Sequence, residues 1–232
     1  MANDLNQLLQ RLGETISGKQ ASLDLQAIRD SGIESISEMM EKVLDGNTEK
    51  NTRLIICWIL GRSDSAEATP VLLACAQDGD ADIRAEAARS MGSLGKNECV
   101  PLLMDLLIHD SSTEVRKSAA YALGLIGDVV AQDLLVLKLR DLHELEAVRE
   151  MAAEALGDLG DPFAVDPLIQ ALHDKSGAVV FWSVHALGRL GDPKAIPALE
   201  DLIKILDDGK QNGALLEAAR EAIRNIDEAD NK

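Results

Sequence analysis

The feature that most constrains the fold is internal repetition along the chain. Three segments, DIRAEAARSMGSLGK, VRKSAAYALGLIGD and VREMAAEALGDLGD, align with one another at a period of about 32 residues. One column of this alignment holds Arg53, Arg84, Arg116 and Arg149, followed by Val180 and Leu216. A second column, eight residues later, holds Gly61, Gly92, Gly124, Gly157 and Gly188, followed by Arg224. Such self-similarity predicts a solenoid, in which stacked units supply one another's core.

Within each repeat the apolar residues have a helical period. Counted from the arginine column, alanine, leucine and isoleucine recur at spacings that fall on one side of a helix, as in Ala119, Ala120, Ala122, Leu123 and Ile126. We expect the helix to end at Gly127, Gly160 or Gly191, because glycine adopts the left-handed cap conformation without a steric penalty. The pairs Asp161-Pro162 and Asp192-Pro193 then start the next helix. Each repeat is therefore predicted to be two antiparallel helices.

We predict an all-α fold, a right-handed α-α superhelix of about six two-helix repeats. Residues 1–32 contain amphipathic stretches that are expected to form an N-terminal helical cap, and residues 228–232 are expected to form a flexible tail. The repeats are placed at 33–63, 66–95, 98–127, 130–160, 163–191 and 194–227.

The alternation of xxPLLxxLxD with VRxxAAxALGxLGD resembles the HEAT-like repeats of the phycobilisome-lyase type, over roughly residues 33–227. The turn and aromatic motifs typical of ankyrin and tetratricopeptide arrays do not occur. The resemblance implies that the second helix of each repeat lines a concave face. It also implies that the arginine column, Arg53, Arg84, Arg116 and Arg149, bridges neighbouring repeats as a structural ladder.

Charge and cysteine content exclude several classes of function. The chain has 23 Lys and Arg against 40 Asp and Glu, a formal charge of −17, which repels nucleic-acid phosphates and anionic membranes. Cys57, Cys75 and Cys99 form no CxxC pair, so the sequence predicts neither a disulfide framework nor a zinc site. With no apolar leader at its start, the chain is expected to be cytoplasmic and soluble.

Motifs for catalysis are scarce. No P-loop, G-x-S-x-G or H-E-x-x-H occurs, and the four histidines lie in different repeats. The single pair His143-Glu144 cannot supply the several His-Glu pairs with which the HEAT-like deoxyhypusine hydroxylases hold iron. We therefore predict no catalytic residue, no metal site and no resident cofactor.

Aromatic residues are rare, yet four of the five fall on the side of the second helices that faces away from the core. Tryptophan, tyrosine and arginine are the residues that dominate binding hot spots, so this side is predicted to contact a partner. The alternative is that Trp58 and Trp182 fill gaps between helices and that Phe181 packs over a repeat junction. The candidate partner-binding residues are Trp58, Arg89, Tyr121, Glu154, Phe181, Trp182 and His185.

Acidic residues share the same side. Glu150, Glu154 and Asp158 follow one another at helical spacing, and Glu217 with Glu221 continue the negative charge. This pattern is typical of a solvated surface; if it binds a partner, it favours a basic patch or a basic helix.

Three functions are consistent with these observations. The first is a non-catalytic protein-binding scaffold whose concave groove holds a helix or loop of a partner. The second follows the family resemblance: a subunit of a bilin lyase or a phycobilisome-degradation factor, with Tyr121, Trp182 and His185 against a tetrapyrrole and Arg89 on a propionate. The third is an assembly or metal-cofactor chaperone with an acidic groove for a basic client.

Overall fold

The computed structural model describes residues 36–63, 65–209 and 213–230. Throughout these ranges the chain forms α-helices and short 3-10 helices, and no β-strand occurs in them, which confirms the predicted all-α class. The predicted cap over residues 1–32 lies outside the described residues. The helices are α1 (Ile36–Leu44), α2 (Lys50–Leu60), α3 (Ala68–Cys75), α4 (Ala81–Leu94), α5 (Val100–His109), α6 (Thr113–Ile126), α7 (Gln132–Arg140), α8 (Glu146–Leu159), α9 (Val165–Ala171), α10 (Gly177–Leu190), α11 (Ile196–Gly209) and α12 (Gly213–Asp230).

Consecutive helices form hairpins, and the hairpins belong to two compact units that meet in the sequence between Cys99 and Val100. In the first unit, α2 packs against α1, α3 and α4. In the second unit, α6, α8, α10 and α12 pack one against the next, and each also packs against the helix that precedes it in the chain. We call α2, α4, α6, α8, α10 and α12 the second helices.

The core of the hairpins lies where the helical period predicted it. Ala119, Ala120, Ala122 and Leu123 of α6 are fully buried, and so are their counterparts in α8. Ile126, at the end of α6, is only half-buried. Small side chains at these positions let neighbouring helices approach closely, which is how a chain with few aromatic residues still forms a dense core.

The glycine column marks the points of closest approach between second helices. A Cβ atom built on Gly124 would lie 2.8 Å from the Cα atom of Ala155, and one built on Gly157 would lie 2.8 Å from the Cα atom of Ala186. Real Cβ atoms do not approach a backbone so closely, so only glycine fits unless the helices move apart. The same arrangement recurs at Gly61 against Ser90 and at Gly188 against Ala222.

The predicted signals for helix ends are confirmed. Gly127, Gly160 and Gly191 cap α6, α8 and α10 with φ values of 72°, 70° and 68°. Asp161 and Asp192 each accept a hydrogen bond from a backbone N–H two residues later and begin a 3-10 helix with proline at its start. At the other end of the chain, α12 extends to Asp230, so residues 228–230 are helical where a flexible tail was expected.

Candidate functional site

An arginine joins the hairpin α7–α8 to the hairpin α9–α10. The guanidinium of Arg149 donates from Nε and Nη2 to the two carboxylate oxygens of Asp174, at 3.1 and 2.8 Å, and from Nη1 to the carbonyl of Glu144 at 2.7 Å. Both side chains are buried. Burial raises the pKa of Asp174, but hydrogen bonds from Arg149 and from the N–H of Ser176 outweigh burial and lower it.

Arg116 makes the same connection one hairpin earlier. It donates to the two carboxylate oxygens of Glu144 at 3.0 and 2.7 Å, and the Nζ of Lys138 adds a third contact at 3.2 Å. Burial by itself raises the pKa of the Glu144 carboxyl, but hydrogen bonds from Arg116 and Lys138 outweigh burial and lower the pKa to about 2. Glu144 is therefore held ionised between two cations.

In the first unit, Arg53 pairs with Asp78 of the next hairpin and donates to the carbonyl of Val43 at 2.7 Å. Arg84 donates to the carbonyl of Asp78 at 2.8 Å. The acidic partners of the arginines were missed in the sequence, although a signal exists: Asp78, Glu144 and Asp174 each stand five or six residues before a position of the arginine column. At Val180, where the column loses its arginine, the side chain is buried.

The predicted partner-binding residues of the second unit lie on the side of the second helices that the core leaves free. Tyr121 of α6, Glu154 of α8 and His185 of α10 occupy corresponding positions on three successively packed helices, and all three are half-buried. Tyr121, Phe181 and Trp182 are all half-buried, so none of these rings is completely enclosed, and the gap-filling alternative for Trp182 stays a prediction. We call this side of α6, α8 and α10 the free face.

Three rings meet on α10. The centroid of Phe181 lies 4.4 Å from that of His185 and 5.8 Å from that of Trp182, in edge-to-face arrangements, and the centroids of Trp182 and His185 are 6.0 Å apart. These are the distances at which aromatic pairs attract one another. We call Phe181, Trp182 and His185 the ring cluster. Since each ring keeps an accessible edge or face, the cluster is a preformed apolar surface.

Two carboxylates of the free face lie on α8, the helix that packs against α10. Glu150 and Glu154 are half-buried, and neither accepts a hydrogen bond or an ion pair from a described residue. Burial raises the pKa of Glu150 by more than the charge of Lys117 lowers it, and burial together with the negative charge of Asp158 raises the pKa of Glu154 by more than Arg189 lowers it. The free face therefore holds negative charge that the chain itself leaves poorly compensated.

Trp58 and Arg89 belong to the first unit, so the seven predicted residues do not all lie in one compact unit. Trp58 is half-buried, and the guanidinium of Arg62 lies over its ring at 4.3 Å from the centroid. Arg89 donates from Nε and Nη2 to Glu86 at 3.1 and 3.0 Å. Any propionate on Arg89, as the bilin hypothesis requires, competes with that carboxylate, and the hypothesis stays a prediction.

Other features of the described residues lie away from the predicted set. An open cavity of about 690 Å³ in the first unit is lined mainly by polar groups, among them Arg62, Ser63, Thr69 and Lys96. The fifth aromatic residue, Phe163, is 83% exposed at the start of the hairpin α9–α10. No three His, Cys, Asp or Glu side chains are grouped to hold a metal ion within the part of the chain that is described. Over the same part, no helix combines the length and the apolar character needed to cross a membrane.

Solved structures share this architecture at low sequence identity. A designed armadillo repeat protein in complex with the peptide (KR)4 is 18% identical, with 83% of this chain and 99% of that chain covered and a TM-score of 0.56. The YibA protein of E. coli is 20% identical, with 96% and 92% covered and a TM-score of 0.55. The complex of CpcE and CpcF of phycocyanin lyase from Nostoc is 18% identical, with 83% and 94% covered and a TM-score of 0.46, too low to carry an argument.

The repeats are also recognisable from sequence patterns shared with other proteins. No curated protein matches the whole sequence significantly. The family model for HEAT repeats matches residues 37–124, 76–141 and 133–224, which is most of the chain. The matched ranges contain α2, α4, α6, α8 and α10 in full and α12 as far as residue 224. The buried arginine contacts and the glycine approaches described above are the physical counterpart of the arginine and glycine columns in the repeats. This chain belongs to the HEAT-repeat family.

Proposed function

We propose that the protein is a non-catalytic scaffold that binds a protein partner on the free face of its second helices. The observation that carries this proposal is the ring cluster: three half-buried rings on the free side of α10, with Phe181 edge to face against both Trp182 and His185. Half-buried aromatic side chains of this kind are typical binding hot spots, since they bury large areas while losing few rotamers.

The framework behind the free face is rigid, which favours binding. Arg116 and Arg149 tie each hairpin to the next through buried, doubly hydrogen-bonded ion pairs. Gly124 and Gly157 hold the second helices at their closest approach. Residues on such helices are positioned before the partner arrives, and this lowers the entropic cost of association.

The charge of the free face favours a partner segment with basic side chains. Glu150, Glu154 and Asp158 lie on α8, which packs against the helix of the ring cluster, and the whole chain carries a formal charge of −17. Complementary charge accelerates encounter and orients the partner, while the rings supply affinity. The fold is compatible with this mode of binding, since a designed armadillo repeat protein of similar architecture forms a complex with the peptide (KR)4.

The proposal is tested by identifying partners captured from the native cell and measuring their affinity with purified protein. Tyr121→Ala and Trp182→Ala are expected to weaken binding by about 30-fold each, because a hot spot contributes about 2 kcal/mol. As a matched control, Leu137→Ala and Ile205→Ala remove exposed apolar side chains from α7 and α11, away from the free face, and are expected to leave affinity unchanged.

Helical circular dichroism accompanies every variant, so that loss of folding is separated from loss of binding. A partner that binds the tyrosine and tryptophan variants as tightly as the unmodified protein would show that the free face is not the binding surface. Equal losses in the control variants would lead to the same conclusion.

A further inference from the structure

We propose that the free face holds one arginine side chain of the partner, with its guanidinium bound by Glu150 and Glu154 and stacked against the ring cluster. This inference deepens the proposed function and rests on it. The charge of the whole surface indicates only that the partner is positively charged, whereas this inference names the side chain that binds.

The charges around the two glutamates favour binding of a cation from outside the chain. The two cations whose charge acts on these glutamates, Lys117 and Arg189, form their ion pairs with other carboxylates: Lys117 binds Glu114 at 3.2 Å, and Arg189 is paired with Asp158. Lys117 and Arg189 attract the half-buried carboxylates of Glu150 and Glu154 but form no ion pair with them. A partially desolvated carboxylate without a direct ion pair is unfavourable, and a guanidinium or ammonium group supplied by the partner relieves that cost.

The glutamates and the ring cluster lie on α8 and α10, which pack against each other. Arg189 of α10 spans from the ring-cluster helix to α8, where it contacts the carboxylate of Asp158 and the carbonyl of Glu154, the latter at 3.1 Å. His185 lies one helical turn before Arg189 on the same side of α10. The free side chains of α8 and α10 therefore face a common space.

Arginine fits this combination better than lysine does. A guanidinium is planar, donates two parallel hydrogen bonds to carboxylates and stacks on aromatic rings, so it satisfies both halves of the site together. An ammonium group forms the ion pair but is strongly hydrated and gains less from the rings. The site is therefore expected to discriminate between two side chains of equal charge.

The test uses fluorescein-labelled hexa-arginine and hexa-lysine peptides as probes, with affinity read from fluorescence anisotropy at low ionic strength. Removing both acids in Glu150→Gln/Glu154→Gln is expected to weaken hexa-arginine binding about tenfold. The matched control Asp133→Asn/Glu200→Gln also removes two negative charges, from exposed positions on α7 and α11. This control is expected to change the affinity for hexa-arginine less than twofold. For the unmodified protein, the affinity for hexa-lysine is expected to be lower than that for hexa-arginine by a factor of about three or more.

Three results would overturn the inference: no binding of hexa-arginine, equal losses in the two double variants, or equal affinity for the two peptides. The first removes the site, the second shows a diffuse effect of net charge, and the third removes the contribution of the rings. These outcomes are separable from failure of the proposed function. If Trp182→Ala weakens the natural partner while Glu150→Gln/Glu154→Gln does not, the scaffold stands and the arginine site falls.

Discussion

The hairpins α7–α8 and α9–α10 are built alike and present different surfaces. Both second helices bury the same pattern of small and apolar residues, carry a glycine against the next helix and end in a left-handed glycine cap. They differ where α8 has Arg149, Glu150 and Glu154 and α10 has Val180, Phe181 and His185. The helix α8 joins the following hairpin through a buried arginine and presents carboxylates, whereas α10 has a buried valine at that position and presents rings.

The comparison separates positions that stacking determines from positions that it leaves free. Stacking requires small residues wherever two second helices touch, so these positions vary little along the chain. The free face has no such requirement, and its residue types change from one hairpin to the next. Side chains on that face are therefore the place to look for function, and side chains between helices are the place to look for stability.

The largest effect is expected from breaking the buried arginine connection to the following hairpin, which α8 makes and α10, with Val180 in that position, does not. Arg149→Met leaves the Asp174 carboxylate buried and without its guanidinium. Removing one partner of a buried ion pair costs about 3–5 kcal/mol, so we expect the free energy of unfolding in urea to fall by about that amount.

The control for this variant is Lys194→Met, which removes an ion pair to Asp166 in which both side chains are 59% exposed. An exposed pair contributes about 0–1 kcal/mol, so little change is expected. If the two variants lose similar stability, the buried ladder is not what joins these hairpins.

A smaller loss is expected from crowding the contact that both hairpins share. Gly157→Val places side-chain atoms where the first added carbon already lies 2.8 Å from the backbone of Ala186, so α8 and α10 must separate. Overpacking of this kind costs about 1–3 kcal/mol in unfolding free energy. Gly177→Ala is the matched control, because a Cβ atom there meets nothing within 4 Å and the expected change is within about 0.5 kcal/mol. A valine variant as stable as the control would show that the glycine column is not a packing requirement.

The sequence was sufficient to predict the class of fold, the helix ends and the buried side of the second helices. Each depends on local chemistry: Ala120 and Leu123 follow the helical period, and Gly160 takes the left-handed cap. The partners of the arginines were not predicted, because Asp174 and Glu144 reach them from another hairpin, and a shared period does not show which carboxylate contacts which arginine.

The candidate site was predictable as a side of the helix but not as an arrangement of groups. Helical spacing placed Phe181 and His185 together, since they are four residues apart. Helical spacing did not show that Arg89 is already hydrogen-bonded to Glu86, nor that Trp58 and Tyr121 belong to different compact units. Those facts depend on rotamers and on how hairpins group together, which a repeat pattern does not encode.

The smallest effect is expected from Glu154 of α8, a carboxylate that we propose favours binding of a partner at the expense of stability. Because burial and Asp158 raise the pKa of Glu154 on folding, the ionised carboxylate destabilises the folded state at neutral pH, and this penalty disappears as the pH falls through the raised value. Glu154→Gln is therefore expected to raise the urea midpoint slightly at pH 7, with the difference from the unmodified protein shrinking in acid. Glu144→Gln is the opposite case, since the pKa of Glu144 is lowered to about 2 and its loss should reduce stability. If Glu154→Gln lowers the midpoint instead, this carboxylate contributes to the fold, and the free face is not a surface held ready for a partner.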